Sequence, residues 1–204
     1  MTVMLPNLRG RGKAHRGNGS QDYSLDGYAA DLHDIVRSEV SDQPFVLAGW
    51  SMGVSVALKY LRRPGAPKPQ ALILLSGSPW LAATRWFEGE GRALLANVAA
   101  REQRLGLREA ADHDAVAWTW EAIGHTDQRS ELRDINLPTL VLHGSADEDS
   151  PWQHGALLAE GIERAELVTL EGAGHSLLSQ NTACVVSAMR RFVAQVSARE
   201  GLRQ

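Results

Sequence analysis

The sequence has little cysteine, no long apolar run and no large excess of charge of one sign. Its 204 residues include one cysteine, Cys184, which excludes an internal disulfide and is most simply a small core residue. No run approaches the roughly 18 to 20 apolar residues that span a bilayer. Residues 1–10 are also too short, and lack the leading basic region, for a signal peptide. We therefore expect a cytoplasmic protein that does not enter a membrane.

The charge balance argues against nucleic acid as a partner. Lys and Arg number 21 and Asp and Glu 24, a formal net charge of -3, so there is no overall attraction to a polyanion. The basic residues concentrate in one glycine-rich segment, which predicts a solvated loop rather than a nucleic-acid patch. These residues are Arg9, Arg11, Lys13, His15 and Arg16.

Cofactor motifs are also missing from the sequence. Lys13 follows Gly12 but precedes Ala14, so no phosphate-binding loop is completed. The histidines show no HExxH spacing, and paired cysteines are absent. We predict that the protein uses neither a metal nor a nucleotide cofactor.

Short apolar runs alternate with longer periodic segments along the chain. That alternation is typical of the α/β class, a mostly parallel sheet with helices on both faces. A helix is predicted after the N-cap Ser24, another from residue 52 to about 62, and a third along an apolar stripe from 185 to 196. The strands are expected at residues 2–5, 44–48, 71–75, 139–143 and 166–170.

One stretch breaks this rhythm between two predicted strands. Residues 79–135 hold helix-compatible sequence that is rich in tryptophan, and an insertion of that length is more simply a small helical cap than a structureless loop. We therefore predict an α/β core at residues 1–78 and 136–204, with a cap at 79–135.

The most informative short motif is GWSMG, which places Ser51 between Gly49 and Gly53. It follows a predicted strand and precedes a predicted helix, the context of a nucleophile elbow. Glycines are needed there because the chain reverses sharply at the serine and larger side chains would collide.

A nucleophilic serine needs a base, and the base needs an orienting acid. Asp147 follows the predicted strand 139–143, and His175 follows the last predicted strand. Serine, acid and histidine thus all fall at the carboxyl ends of strands, where open α/β sheets form their sites. Their order along the chain is the one expected of this architecture.

The sequence resembles the α/β-hydrolase superfamily, in its branch of small esterases, thioesterases and C–C hydrolases with a helical cap. The resemblance implies that Ser51 is the nucleophile, His175 the general base and acid, and Asp147 the residue that orients His175. It also implies that the backbone N–H of Met52 donates to the oxyanion. The segments that carry it are PNLRGRG, YSLDGYAADL, GWSMG, PTLVLHGSADEDSP and GAGHSLL.

Two assignments within this resemblance have competing interpretations. Asp149 is the alternative acid, but the family spacing HGxxDxxxP fits Asp147, which would leave Asp149 a solvated loop carboxylate. His143, at the strand end, is expected to be structural. Five tryptophans are candidates for an apolar substrate pocket, or they hold the cap together. They are Trp50, Trp80, Trp86, Trp118 and Trp120.

The same resemblance implies strands ahead of residue 1, among them a third strand whose loop supplies a second oxyanion donor. That strand would lie between the strands at 2–5 and 44–48. We expect that the chain is a fragment, that these two strands pair directly, or that a partner chain fills the gap. Loss of one oxyanion donor typically costs about 10² to 10³ in kcat, so activity would be impaired.

These observations together predict a serine hydrolase that cleaves a small apolar carboxylic ester or thioester through an acyl-enzyme on Ser51. A perhydrolase or a C–C bond hydrolase would use the same triad. From a different class, the alternative is a catalytically weak or inactive hydrolase-fold protein that binds a small ligand or partner. The sequence leaves the oligomeric state open.

Overall fold

Four parallel strands form one sheet in chain order, β1-β2-β3-β4, in the computed structural model of the protein. The structure describes residues 2–40, 43–84, 86–105 and 112–201. The strands are β1 (Val46–Trp50), β2 (Ala71–Leu75), β3 (Thr139–Gly144) and β4 (Ala165–Leu170). Each lies where an apolar run predicted it, and together they confirm the predicted α/β class.

The central strands are mostly apolar because helices cover both faces of the sheet. All five residues of β2 and all six of β3 are buried. Alternate side chains enter different cores: Leu72 and Leu74 pack on one face, and Ile73 and Leu75 on the other. The sheet is therefore the middle layer of three.

Three helices cover the first face, and the last two helices cover the second. α1 (Leu25–Ile35) begins where Ser24 Oγ accepts a hydrogen bond from the Gly27 N–H, as its N-cap position predicts. α2 (Met52–Leu61) and α5 (Trp152–Gly161) join it in the same core. α6 (Leu177–Gln180) and α7 (Thr182–Gly201) pack on the opposite face.

Two further helices occupy the segment predicted to form the cap. α3 (Gly91–Leu105) and α4 (His113–Ile123) follow β2 and precede β3, and pack on each other through a small apolar cluster of their own. Short 3₁₀ turns lie at Ser20–Tyr23, Leu81–Ala83 and Arg129–Asp134, and Val36–Val40 extend α1 as a π-helical turn. Residues 85 and 106–111 of this segment lie outside the described residues. The limits of the cap domain stay a prediction.

The first predicted strand is wrong. Residues 2–5 have no regular structure, and Val3, Met4 and Leu5 are exposed. Within the described residues β1 pairs with β2 alone, so direct pairing of residues 2–5 with β1 is wrong as well. An apolar run is not enough to form a strand when no neighbouring strand accepts its backbone hydrogen bonds.

Two smaller expectations are also corrected. Cys184 is exposed on α7 and is not a core residue. The basic segment is not a freely solvated loop, because three of its arginines bind other parts of the fold. Arg9 pairs with Asp31 in α1, and Arg11 donates to the buried Tyr28 and Thr119 hydroxyls. Arg16 pairs with Asp112 ahead of α4.

None of the helices in the described ranges is both long enough and apolar enough to span a membrane.

The contrast between β2 and residues 2–5 can be measured. Leu74→Ala should lower the free energy of unfolding by about 2 to 5 kcal/mol, because it leaves a cavity at a fully buried position. Leu5→Ala is the matched control: Leu5 is 87% exposed, and we expect a change within about 0.5 kcal/mol. Urea denaturation of both variants checks this. Equal losses would contradict the assignment of Leu5 to an exposed, unpaired segment.

Candidate active site

The turn after β1 places Ser51 at the carboxyl edge of the sheet in a strained conformation. Ser51 has φ 55° and ψ -122°, in the positive-φ range that favours glycine. Its own N–H donates to the Leu75 carbonyl at 2.9 Å, which fixes the turn to β2. Strain held by the surrounding structure is common at functional positions.

The first glycine of GWSMG is required by packing. A Cβ atom on Gly49 would collide with the backbone oxygen of Gly53, whereas a Cβ atom on Gly53 would meet nothing within 4 Å. The chain reversal therefore brings Gly49 and Gly53 so close that the space between them holds the Cα hydrogen of Gly49 but no Cβ atom.

Ser51, His175 and Asp147 are connected by a chain of hydrogen bonds, with His175 in the middle. His175 Nε2 is 2.8 Å from Ser51 Oγ. On the other side of the ring, Nδ1 is 3.0 and 3.1 Å from the two carboxylate oxygens of Asp147. Because the carboxylate only accepts, Nδ1 carries the proton and Nε2 accepts from the serine hydroxyl. The structure thus brings the three predicted residues together, and their catalytic roles remain predictions.

Asp147 is held as a charged acceptor. Its Oδ1 accepts the backbone N–H groups of Asp149 (3.1 Å) and Ser150 (2.8 Å). Burial raises the pKa of Asp147, but hydrogen bonding and charge attraction from His175, with the Ser150 N–H, outweigh it and leave that pKa below its ordinary value. Asp147 is therefore an ionised partner for His175 at neutral pH.

Two histidines next to Asp147 are buried in neutral form. His143 Nε2–H donates to the Ser150 carbonyl at 2.6 Å, and burial lowers the pKa of His143. Burial also lowers the pKa of His154, whose Nδ1 accepts from the Ser78 hydroxyl at 2.8 Å. His143 thus supports the loop that carries Asp147, and its expected structural role agrees with this geometry.

Met52 is the first residue of α2, directly after Ser51. The first N–H groups of a helix have no partner within it and carry partial positive charge. The position of the Met52 N–H is compatible with a donor to an oxyanion, and that role stays a prediction. No second donor is assigned within the described residues.

The five tryptophans separate into two groups. The Trp50 ring lies 5.5 Å from the His175 ring, and its Nε1–H donates to the His175 carbonyl at 3.1 Å. The Trp86 ring is 6.4 Å from His175, and Trp120 packs on Trp86 at 6.1 Å. These three rings form one aromatic group, in which Trp50 and Trp86 contact His175 and Trp120 packs on Trp86.

The other two tryptophans make their ring contacts elsewhere. Trp80 lies under Arg129 at 3.7 Å, and Trp118 contacts Tyr23 at 6.0 Å and Arg16 at 5.0 Å. Among the described residues, no ring contact joins either of them to the triad. For Trp80 and Trp118 the geometry agrees better with the alternative that they hold the cap together.

Asp149 is not the solvated loop carboxylate that was expected. It is 2% exposed and pairs with Arg104 at 2.5 Å and with Arg101 at 3.4 Å, both on α3. Sequence reasoning missed both arginines. Their spacing of three puts them on one face of a helix, but nothing local indicates which loop that face meets.

A group of possible metal ligands overlaps the triad. Single ligand atoms of Asp147, Asp149 and His175 lie within 4.8 Å of one another. Arg104 and Arg101 already bind Asp149, and both nitrogens of His175 are engaged. This arrangement suits ion pairing better than metal binding, and the absence of a metal requirement stays a prediction.

Comparison with known proteins agrees with this fold. The sequence profile described as the alpha/beta hydrolase family matches residues 2–187, so the chain belongs to the alpha/beta hydrolase family. It is 26% identical to the AB hydrolase superfamily protein YisY of Bacillus subtilis (strain 168), over 87% of this chain and 78% of that protein.

Two further likenesses bear on the class of protein. The chain is 26% identical to the non-heme chloroperoxidase CPO-A1 of Kitasatospora aureofaciens, over 82% of this chain and 75% of that one. The esterase EaEST from Exiguobacterium antarcticum superposes with a TM-score of 0.71 at 20% identity, over 93% and 79% of the two chains. The second likeness shows the shared fold.

The two glycines of GWSMG should respond differently to an added methyl group. Gly49→Ala should lower the free energy of unfolding by about 1 to 3 kcal/mol, because its Cβ overlaps backbone that cannot move aside. Gly53→Ala should be neutral or stabilising by up to about 1 kcal/mol, because its Cβ has open space in α2. Urea denaturation compares the pair. A larger loss for Gly53→Ala would contradict the turn geometry.

Stability should decline on mild acidification. The pKa values of His143 and His154 in the folded chain lie below 6.5. The unfolded chain therefore binds protons at a higher pH than the folded chain, and stability is lost as pH falls below about 6.5. Each histidine contributes a slope of up to about 1.4 kcal/mol per pH unit. Asp147 adds a loss below its ordinary pKa of 3.8.

Urea denaturation at pH 7.5 and 5.5 measures this slope. His154→Gln should reduce the slope, while His125→Gln, at an exposed histidine, should leave it unchanged. A pH-independent unfolding free energy over this interval would show that the buried histidines are not held neutral.

Proposed function

We propose that the protein is a serine hydrolase that cleaves a carboxylic ester or thioester of a small apolar substrate. The observation that carries this proposal is the 2.8 Å contact between Ser51 Oγ and His175 Nε2, with Asp147 on the opposite ring nitrogen. A serine bonded to a base, which is itself oriented by a carboxylate, is the arrangement that acyl transfer requires.

In the proposed reaction, Ser51 Oγ attacks the substrate carbonyl carbon as its proton passes to His175 Nε2. The carbonyl oxygen becomes an oxyanion that accepts the Met52 N–H. When the carbon–oxygen or carbon–sulfur bond breaks, His175 returns the proton to the leaving alcohol or thiol. A water molecule, deprotonated by His175, then attacks the acyl-enzyme and frees the acid and Ser51.

The residues around His175 support an apolar substrate. The rings of Trp50 and Trp86 lie next to His175, Trp120 packs on Trp86, and Phe87 packs against Trp120 at 5.6 Å. Apolar and aromatic side chains line most small-molecule sites and orient ligands through a few polar groups. We propose the first three as the substrate-binding tryptophans.

A second candidate function is perhydrolysis, in which hydrogen peroxide replaces water as the acceptor of the acyl group. The likeness to a chloroperoxidase over most of the chain favours including it. Both reactions share the acyl-enzyme on Ser51 and differ only in the second step. Product analysis with and without hydrogen peroxide distinguishes them.

The acyl-enzyme proposal predicts covalent labelling at one residue. A fluorophosphonate probe should label the native protein, and Ser51→Ala should abolish both labelling and the hydrolysis of an activated ester. Ser130→Ala, at an exposed serine in a 3₁₀ turn, is the control and should label as the native protein does. Mass spectrometry locates the adduct. An unlabelled native protein, or undiminished ester hydrolysis by Ser51→Ala, would remove the proposal.

A further inference from the structure

We propose that Arg101 and Arg104 of α3 are positioning residues for His175, because they neutralise Asp149, a second carboxylate beside the triad. The inference deepens the proposed function in that it takes His175 as the base. It assigns to the cap segment an electrostatic role in the site.

Asp149 is close enough to act on His175 directly. One carboxylate oxygen of Asp149, one of Asp147 and one ring nitrogen of His175 all lie within 4.8 Å of one another. Asp149 is 2% exposed, so water screens its charge poorly. Two carboxylates therefore share the surroundings of one imidazole.

Both arginines reach Asp149 from the cap segment. Arg104 approaches with two nitrogens, Nη2 to Oδ1 at 2.5 Å and Nη1 to Oδ2 at 3.5 Å. Arg101 Nε is 3.4 Å from Oδ1, and its guanidinium lies over Phe87 at 5.1 Å. The Asp149 hydrogen bond raises the pKa of Arg104, and burial lowers that of Arg101. The side chain of Arg101 is 13% exposed, so it is built into this contact.

The local charges balance to zero. The carboxylates of Asp147 and Asp149 carry two negative charges, and Arg101 and Arg104 carry two positive charges. From β3, His143 faces the same space, with Nε2 3.7 Å from Asp147 Oδ2, in neutral form.

The other groups that face His175 do not alter this balance. The β1 turn and the cap segment contribute the neutral Ser51, Trp50 and Trp86. Glu148 lies near Arg104 but is exposed, so water screens its charge and it is left out of this balance.

This balance sets how firmly His175 holds a proton. An unneutralised Asp149 would stabilise the imidazolium further and would compete with Asp147 for the Nδ1 proton. A base that is protonated too readily is blocked at neutral pH, because only its neutral form accepts from Ser51. The two arginines join α3 to the loop 145–151 after β3, and they keep one carboxylate, Asp147, as the effective partner of His175.

A double-mutant cycle that changes the charge at Arg104 and at Asp149 tests the inference. Arg104→Met leaves a net charge of -1 around His175, Asp149→Asn leaves +1, and the double variant restores zero. NMR of the imidazole nitrogens follows the titration of His175, with His175→Gln used to assign its signals. The midpoint should rise by about 1 pH unit in Arg104→Met and fall in Asp149→Asn. In the double variant it should return close to the native value.

Arg62→Met is the matched control. Arg62 is 49% exposed and pairs with Asp134 on the surface, against 51% for Arg104, so its removal should leave the midpoint unchanged. Because Arg104 is half-exposed, Arg104→Met should fold, and thermal melting verifies this. Coincident midpoints in the native protein and Arg104→Met would overturn the inference. So would a double variant shifted as far as Arg104→Met.

The pH dependence of Ser51 labelling by the fluorophosphonate is the second readout. Its acidic limb should move in the same direction as the NMR midpoint in each variant. If the native protein is not labelled while the midpoints shift as described, the proposed function fails, and what stands is that the two arginines control the charge around His175. If labelling is normal and Arg104→Met lowers its rate equally at all pH values, the arginines are simple packing contacts and the inference is lost.

Discussion

The parallel pairing of the four strands in chain order is the constraint on which the rest of the structure depends. It fixes all four carboxyl ends at one edge, with Ser51 in the turn after β1, Asp147 in the loop after β3 and His175 in the loop after β4. The register also supplies partners to the turns, as when the Ser51 N–H donates to Leu75 at the end of β2. Distant segments of the chain meet because the sheet leaves them one common edge.

Close backbone approaches convert this coarse placement into hydrogen-bonding distances. Gly49 lets the turn fold back on Gly53, and Gly144 lets β3 end directly against the backbone of Ala173 and Gly174, ahead of His175. Side chains at these glycines would push the serine turn or the histidine loop outward. A site assembled at about 3 Å tolerates little displacement of this kind.

Much of the fold could be predicted from the sequence because local patterns determine it. The apolar runs of β1 to β4, the Ser24 cap of α1 and the Gly-x-Ser-x-Gly turn each carry their signal within a few residues. Three site residues could be proposed because each follows a strand. The exposed conformation of Val3 to Leu5 could not be predicted, since it depends on whether a neighbouring strand is present to pair with them.

The part of the site contributed by the cap segment could not be predicted for the same reason. From the sequence alone, Asp149 is indistinguishable from any other acidic loop residue. Arg101 and Arg104 are likewise indistinguishable from charged residues on an exposed helix face. Only the packing of α3 on the loop after β3 shows that the three residues form one ion-paired group. Similarly, Trp80 and Trp118 could not be distinguished from Trp50 and Trp86 by residue type, because tertiary contacts decide which rings lie beside His175.

The hydrogen bonds of the site also determine at which stage of synthesis and folding Ser51 and His175 come together. Ser51 and Trp50 bind His175 across 124 and 125 residues of chain, contacts that form only after long loops have closed. During synthesis from the N-terminus, the turn that carries Ser51 would be made long before His175 leaves the ribosome. The hydroxyl would therefore stay an ordinary alcohol until the chain has folded around it.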